Sequence, residues 1–203
     1  PNSICATCYA LNGNYLFPSV ITGLFRASLA IEVYENKQDY TYWIAAYSEL
    51  IKRKCVVKDI YDYVYVKDID DLSYEKVGEI DNTWFRWHDS GDIQSVRHLE
   101  AINQIALNNP RVKFWLPTRE SKYVKQFLKS SQVADNLTIR LSAYIVGKKA
   151  NDFGTGLPTS TVSWKESPDH CVAPKQGGAC DGPIMNCRNC WDKNISNVNY
   201  KIH

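Results

Sequence analysis

The sequence lacks a long apolar run. No stretch approaches about 18 consecutive apolar residues, the length typical of a transmembrane helix. A secretory signal pattern is not visible among the printed residues either. We therefore expect no membrane partner and a cytoplasmic location for this chain.

A strong charge of either sign is also lacking. The 24 Lys and Arg residues and the 22 Asp and Glu residues leave a formal net charge of +2. This balance argues against a strongly basic protein that wraps nucleic acid, although a local basic patch is compatible with it. Hydrophobic residues make up 44% of the 203 residues, which is enough for a packed core and excludes a disordered chain. The length predicts a single domain over residues 1–203.

Cysteine is present, but not in the pattern of a secreted disulfide scaffold. Such scaffolds are short, have an even cysteine count and spread their bridges through the chain. Here the count is seven, and all but Cys55 lie near the two ends: Cys5, Cys8, Cys171, Cys180, Cys187 and Cys190. We therefore favour metal binding in a reducing compartment. Cys55 is interpreted as a small buried hydrophobic side chain.

The spacing of the cysteines favours one metal ion or cluster. Cys-x-x-Cys occurs twice, as Cys5/Cys8 and Cys187/Cys190, and this spacing lets two thiolates converge on one metal centre. The carboxy-terminal cysteines form a quartet within 20 residues: Cys171, Cys180, Cys187 and Cys190. A quartet separated by Gly and Pro can fold around a tetrahedral zinc ion or a cubane cluster, and spacing alone does not choose between them.

Helical and strand patterns alternate along most of the chain. Helices are predicted over 19–37, 39–54, 95–107 and from Ser121 onward, with Ser19, Ser95 and Ser121 as N-caps. Strands are predicted over 61–66, 83–87, 112–116, 137–142 and 161–164, and the acidic stretch after residue 66 is predicted to be a loop. Three successive strands start about 25–28 residues apart, the spacing of βα units. This predicts a parallel sheet in an α/β fold, either open or barrel-like. Because eight full units need about 250 residues, a partial βα barrel is favoured.

The amino-acid composition changes after Gly147. Gly, Pro, Ser, Asn and Asp dominate residues 148–203, and long periodic segments end. Such a segment buries little apolar surface and needs another source of order. We predict an irregular cluster-binding tail that packs on the α/β domain.

Polar side chains follow the predicted strands at their carboxyl ends: His88, Asp89, Ser90, Asp92, Thr118, Arg119, Glu120, Ser142 and Tyr144. In a parallel sheet these ends open on one face, where ligands bind. Arg119 suits a carboxylate or phosphate, and Asp92 or His88 suits acid–base chemistry or a ribose hydroxyl. The alternative is structural: Asp and Ser cap the following helices, and Arg119 pairs with Glu120 or Asp92.

Tryptophans next to basic residues raise a second function. Trp84, Trp87 and Trp115 alternate with basic residues as a base-stacking surface would. Aromatic residues inside strands more commonly pack in the core, and we favour that interpretation. A zinc-stabilised nucleic-acid-binding module, with the cysteine quartet as a closed structural site, is nevertheless an alternative to an iron–sulfur protein.

Four motifs together resemble a known family: Cys5-Ala-Thr-Cys8-Tyr9-Ala10, Arg86-Trp-His88-Asp-Ser90-Gly91-Asp92, Phe114-Trp115-Leu-Pro-Thr118-Arg119 and Cys187-Arg-Asn-Cys190-Trp191. The sequence resembles small phage- and virome-encoded iron–sulfur proteins of undefined function, which are distantly similar to radical S-adenosylmethionine (SAM) enzymes. The resemblance implies a partial barrel and a [4Fe–4S] cluster with ligands among the six terminal cysteines. It also implies a role in electron transfer or reductive radical chemistry, with a redox partner or a small-molecule substrate, in the cytoplasm of an infected host cell.

The resemblance to radical SAM enzymes leaves the activity open. Their Cys-x3-Cys-x2-Cys pattern needs a cysteine where this sequence has Pro1. Three ligands leave one iron open for SAM, whereas four close the cluster, and six candidate ligands fit a closed cluster at least as well. If SAM binds, His88, Ser90, Asp92 and Arg119 line its pocket. A radical SAM-like oxidoreductase, an electron carrier and a purely structural cluster all remain as alternatives.

Overall fold

The structure is a computed structural model that describes residues 13–66, 71–88, 91–165, 170–178, 180 and 186–202; for 62–66 and 71–75 only the backbone is described. Its helices are α1 (Pro18–Lys37), α2 (Thr41–Lys54), α3 (Val96–Asn108) and α4 (Ser121–Phe127), with short 3-10 helices at Gly13–Leu16 and Ala173–Gln176. Its strands are β1 (Val57–Val66), β2 (Asp71–Asp81), β3 (Trp84–Arg86), β4 (Lys113–Thr118), β5 (Leu137–Ser142), β6 (Thr159–Ser163) and β7 (Asn197–Lys201). No helix in these ranges is both long and apolar enough to span a bilayer.

Five strands form one parallel sheet in the order β3-β4-β5-β6-β7. The helices α3 and α4 connect β3 to β4 and β4 to β5, as expected for parallel neighbours. The sheet curls into a half-barrel. The predicted α/β class with a partial βα barrel is therefore confirmed.

The main core lies between the sheet and the helices. Alternate residues of β4 and β5, such as Phe114, Ile139 and Leu141, pack there against the buried face of α3. The intervening residues of β5, Thr138 and Arg140, point to the opposite face because successive strand residues alternate in direction. The sheet therefore has two buried faces, one covered by helices and one by the tail.

Two predicted helix caps are wrong, for local reasons. Phe17 is the N-cap of α1, because Pro18 has its φ preset for the first helical position and starts the helix before Ser19. Ser121 is the first residue of α4 and Glu120 is its N-cap. The Thr118 hydroxyl accepts the Glu120 N–H at 3.0 Å, so the end of β4 supplies the side-chain acceptor at this helix start.

The two strands β2 and β7 were not predicted. The acidic stretch after β1 was expected to be a loop, but β2 pairs antiparallel with β1 from Val57↔Asp81 to Val66↔Asp71. Antiparallel pairing satisfies the backbone while charged side chains stay in solvent, so acidity does not prevent a strand here. The short polar β7 pairs with β6, and both strands belong to the predicted tail.

Candidate functional site

The segment from 186 to 195 covers the face of the sheet opposite α3 and α4. Trp115, Cys190 and Val198 form a small buried cluster there, and Trp191 packs against it. The Trp191 indole N–H donates to the Phe85 carbonyl at 3.0 Å, and the Thr138 hydroxyl donates to the Trp191 carbonyl at 2.6 Å. The cysteine-bearing tail is thus fastened directly to β3, β4 and β5.

Arg140 holds this tail in place with its whole guanidinium group. The side chain is 0% exposed, and its N–H groups donate to five backbone carbonyls: Cys190 (3.4 Å), Thr159 (2.9 Å), Ile195 (3.0 Å), Asn189 (2.9 Å) and Asp192 (2.9 Å). An arginine has five such donors, so each can serve one carbonyl. Burial lowers the Arg140 pKa, while Tyr200, Cys190 and Asp192 act in the opposite direction.

Sequence reasoning missed Arg140 as a structural residue. The signal was present in the alternation of β5, where Thr138, Arg140 and Ser142 separate Leu137, Ile139 and Leu141. Such alternation places an arginine on the second face of a strand that is otherwise buried. Nothing in the sequence indicated that backbone carbonyls of the tail would accept hydrogen bonds from this arginine.

The thiols of the quartet lie in one neighbourhood. The structure holds Cys171, Cys180, Cys187 and Cys190 as thiols outside disulfides. The charge of Cys187 raises the pKa of Cys171, and the charges of Cys171 and Cys180 raise the pKa of Cys190. The Cys187 N–H donates to the Cys180 carbonyl at 2.7 Å, and the Cys171 N–H donates to Asn199 of β7 at 2.8 Å.

Cys190 is the most deeply buried thiol of the quartet. Burial raises its pKa to about 12, against the lowering effects of the Tyr200 hydroxyl and of Arg140. Its Sγ lies 3.0 Å from the Tyr200 Oη. Burial likewise raises the pKa of the Cys171 thiol. Both thiols are therefore protonated near neutral pH, and a metal that bound them would have to displace these protons.

The quartet has the donor atoms that a thiophilic metal prefers. Soft thiol donors that lie close together and outside disulfides suit iron–sulfur clusters and zinc. Within the described ranges, no three His, Cys, Asp or Glu side chains form a group tight enough to hold an ion. The predicted ligands Cys5 and Cys8 lie outside the described residues. The thiol donors therefore have the chemistry that a thiophilic metal prefers, but the described residues do not form a closed set of ligands around one point.

The remaining cysteine, Cys55, lies elsewhere. It is half-buried just after α2 and packs against the main core. Burial raises its pKa. This agrees with the interpretation of Cys55 as a hydrophobic packing residue.

At the carboxyl ends of the strands, Asp92 ties two loops together. Its carboxylate accepts from the Thr118 hydroxyl at 2.5 Å, the Arg119 N–H at 2.8 Å and its neighbour Ile93 N–H at 2.8 Å. Asp92 therefore joins the loop after β3 to the end of β4. Its oxygens are thus engaged by one hydroxyl and two backbone N–H groups, and Ser95, not Asp92, is the N-cap of α3.

The buried His98 and the half-buried His88 form a pair beside Asp92. Their ring centroids are 5.7 Å apart. His88 has a positive φ of 50°, and its buried Nδ1 has no hydrogen-bond partner among the described residues. Burial lowers the His88 pKa, Asp92 opposes this, and Arg86 adds to it. Burial lowers the His98 pKa to about 3, and His88 adds to the effect.

The other predicted strand-end residues have distinct positions. The Arg119 carbonyl accepts a hydrogen bond from the Tyr144 hydroxyl, which also lies 3.3 Å from the Ser121 Oγ. Ser142 and Ser160 form a hydroxyl pair at 3.0 Å. Ser90, with Asp89, lies outside the described residues. His98 was not predicted, because its position inside α3 resembles that of an ordinary helical residue.

At the amino-terminal ends of β3, β4 and β5 lies a groove of about 500 Å³. Trp84, Arg188 and Trp191 line it together with Lys113 and Lys193. The Arg188 guanidinium lies 5.2 Å from the Trp84 ring centroid and 5.9 Å from that of Trp191. Trp84 is therefore the one of the three predicted stacking tryptophans that lines this groove.

The two other tryptophans, Trp87 and Trp115, are buried. Trp87 stacks on Trp43 of α2, with ring centroids 5.8 Å apart. Trp115 meets Trp191 edge-on at 5.2 Å. Core packing therefore accounts for both residues, as the sequence analysis favoured.

Comparison with known proteins identifies a family. A sequence model of the family described as gene product 88 matches residues 1–192. This fits the phage-type gene product of undefined function that the motifs suggested. No curated protein and no solved structure matches the chain. The match says nothing of a cofactor, so the iron–sulfur cluster remains a prediction.

Proposed function

This chain belongs to the gene product 88 family, and we propose that it is an iron–sulfur protein whose carboxy-terminal quartet ligates a [4Fe–4S] cluster. Four thiols outside disulfides carry the proposal: the charges of Cys171 and Cys180 raise the pKa of Cys190, and the Cys190 carbonyl accepts from the buried Arg140. Cys5 and Cys8 are the further candidate ligands. When bound, the cluster supplies one-electron redox chemistry.

Charge supports an anionic cluster at this position. Metal-bound thiolates bring negative charge into a buried region, which is costly without a nearby cation. Arg140 provides that cation, since its Nε–H donates to the Cys190 carbonyl and its charge favours the Cys190 thiolate. The Tyr200 hydroxyl can donate to the same sulfur. Hydrogen bonds to cluster sulfurs are one of the means by which proteins adjust a reduction potential.

The docking of the tail favours a redox role over a purely structural one. Arg140, Thr138 and Trp191 attach the segment from 186 to 195 to the sheet through protein–protein hydrogen bonds. This part of the tail therefore has a source of order besides a metal. A cluster whose only duty was to order the segment would duplicate those contacts.

The strand-end residues give the proposal its second half, a site for a small molecule or SAM. His88 is the best candidate there, because its buried Nδ1 has no partner among the described residues. Asp92 positions the loop through Thr118 and Arg119. Arg119 and Ser90 remain the proposed polar contacts of the ligand.

A zinc-stabilised nucleic-acid-binding module is the second candidate. The groove with Trp84, Arg188 and Trp191 favours it, because aromatic rings and arginine bind bases by stacking. Arg188 lies between Cys187 and Cys190 in sequence, so one metal centre would support this surface. The net charge of +2 weighs against it.

The test is metal analysis of the chain purified without oxygen, with Cys187→Ser and Cys55→Ser as a matched pair. We expect the parent chain to contain iron and sulfide in equal amounts and to show absorbance that bleaches on dithionite reduction. Cys187→Ser should lose most of this iron and the absorbance. Cys55→Ser should keep both, because Cys55 packs away from the quartet.

Circular dichroism separates a redox centre from a structural one. A redox centre predicts that Cys187→Ser keeps its secondary structure while it loses the cluster signal. Stoichiometric zinc without iron in the parent chain, after reconstitution with iron and sulfide, would refute the iron–sulfur proposal and favour the second candidate. If Cys55→Ser lost as much iron as Cys187→Ser, the quartet could not be assigned as the ligands of the cluster.

A further inference from the structure

The face of the sheet that the tail covers holds a tryptophan with an unsatisfied donor. Trp115 is 6% exposed, and its buried indole N–H has no hydrogen-bond partner among the residues that the structure describes. An indole nitrogen can only donate, and a buried donor without an acceptor costs free energy. Trp115 therefore holds a donor ready for an acceptor that binds beside it.

The register of the sheet sets the direction of this side chain. Trp115 of β4 pairs with Arg86 of β3 and with Thr138 of β5. Residues paired in this way point to the same face of a sheet, and their neighbours along the strand point to the other. The Thr138 hydroxyl donates to the Trp191 carbonyl of the tail. Trp115 therefore points toward the tail and away from the main core.

Trp115 shares its surroundings with a quartet cysteine. It forms one buried cluster with Cys190 and Val198, and Tyr200 packs against this cluster. The Tyr200 Oη lies 3.0 Å from the Cys190 Sγ, and Arg140 donates to the Cys190 carbonyl at 3.4 Å. Three side chains with polar hydrogens thus adjoin Cys190. Arg140 and Tyr200 are engaged with it, whereas the Trp115 N–H has no acceptor in the described part of the chain.

An unpaired indole N–H does not by itself indicate a ligand, as Trp87 shows. The Trp87 N–H is also buried and has no partner among the described residues. Trp87, however, lies in the main core, where it stacks on Trp43 with ring centroids 5.8 Å apart. Of the described cysteines, only Cys55 packs against that core. What distinguishes Trp115 is therefore its place beside Cys190.

A metal-bound sulfur is the acceptor that suits this donor. A protonated thiol accepts a hydrogen bond weakly, whereas the sulfurs of a cluster carry negative charge and accept more strongly. The Arg86 guanidinium lies 4.9 Å from the Trp115 ring centroid and adds positive charge to the same surroundings. The setting of Trp115 thus favours an anionic acceptor.

We propose that the Trp115 indole N–H donates a hydrogen bond to a sulfur of the [4Fe–4S] cluster at Cys190 and thereby raises the reduction potential of the cluster. This inference rests on the proposed function, because it requires the cluster. Reduction adds an electron, so the sulfurs become more negative and the donor stabilises the reduced state more than the oxidised state. Trp115 acts here as a positioning residue that adjusts the cluster without ligating iron.

The test is a redox titration of the cluster-loaded chain, with Trp115→Phe and Trp87→Phe as a matched pair. Both substitutions remove one buried indole N–H, but only Trp115 lies in the cluster of residues around Cys190. We expect both variants to keep the iron and sulfide content of the parent chain. Trp115→Phe should shift the reduction equilibrium about tenfold toward the oxidised state, which lowers the potential by about 59 mV for one electron. Trp87→Phe should leave the potential unchanged.

A second substitution preserves the shape of the side chain. The amino acid 3-benzothienylalanine has a sulfur in place of the indole N–H, and at position 115 it should lower the potential as Trp115→Phe does. Electron–nuclear double resonance of the reduced parent chain should show a solvent-exchangeable proton coupled to the cluster. Both changes at position 115 should remove this signal, and Trp87→Phe should keep it.

The outcomes separate this inference from the proposed function. A parental iron content with an unchanged potential in both position-115 variants refutes the role of Trp115 and leaves the cluster in place. A raised potential also refutes it, because water entering the space would then be the donor. Equal shifts in Trp115→Phe and Trp87→Phe would refute it as well. A parent chain that binds no iron refutes the proposed function, and this inference falls with it.

Discussion

His98 should make this protein unstable in mild acid. The side chain is 3% exposed, stacks on the Tyr40 ring at 5.9 Å and meets the Trp43 ring edge-on at 5.3 Å. Its Nδ1 accepts the Gln94 N–H at 3.2 Å, a bond that the neutral ring makes. Protonation would place a charge in this aromatic pocket, next to His88.

The size and sign of the effect follow from the pKa. Burial lowers the His98 pKa to about 3 in the folded chain, against about 6.5 when unfolded. The folded state therefore binds fewer protons than the unfolded state between these values, and stability falls as the pH falls below 6.5. From pH 8 to pH 5, His98 should contribute a loss of about 2 kcal/mol in the free energy of unfolding.

The assay is urea unfolding of the parent chain and His98→Gln at pH 8 and pH 5. Glutamine keeps an acceptor for the Gln94 N–H but does not titrate. The stability difference between the two pH values should be about 2 kcal/mol smaller in His98→Gln, or about 4–8 °C in melting temperature for a chain of this size. His88, whose pKa burial also lowers, is present in both chains and cancels in the comparison.

Two results would refute this reasoning. One is a pH dependence of stability that is the same in both chains. The other is a His98 ring that titrates in the folded chain near pH 6.5 by nuclear magnetic resonance.

Two further predictions concern side chains that join the elements. Arg140→Lys keeps the charge but leaves three N–H donors for five carbonyls. Urea unfolding should therefore show a loss of roughly 2–4 kcal/mol in the free energy of unfolding. Unchanged stability would contradict the proposed role of the guanidinium group. Asn136→Ala removes an amide that donates to the carbonyls of Ala106, Asn109 and Val112 at 2.9–3.0 Å. The expected loss in the free energy of unfolding is about 2–3 kcal/mol in the same assay. A loss below about 0.5 kcal/mol, which is typical of a surface substitution, would contradict this and show that water replaces the amide.

Local patterns predicted the elements that pack on the helical core. The alternation of Leu137, Ile139 and Leu141 is visible in a short window and predicts β5 at its observed bounds. Ser95 is the predicted N-cap of α3, and its hydroxyl accepts the His98 N–H at 2.9 Å. The spacing of successive strands predicts parallel pairing, because a helix between strands reverses the chain direction twice.

Elements that form by pairing with another strand were not predictable in the same way. The strand β7 has the polar sequence Asn-Val-Asn-Tyr-Lys and forms because β6 offers it an edge. The strand β2 forms because β1 pairs with it over its whole length. For β7 the side chains add to the backbone pairing, because Asn197 accepts from the Thr159 and Thr161 hydroxyls and Asn199 accepts from the Ser163 hydroxyl.

For the candidate site, the sequence by itself determined the donors: cysteines at both ends of the chain and polar residues after the strands. Tertiary structure decided their surroundings. It set Arg140 beneath the tail, Tyr200 beside Cys190 and His98 against His88. Donor identity belongs to single residues and is visible in their spacing, whereas burial, charge and pKa belong to pairs that are distant in the chain and exist only once it has folded.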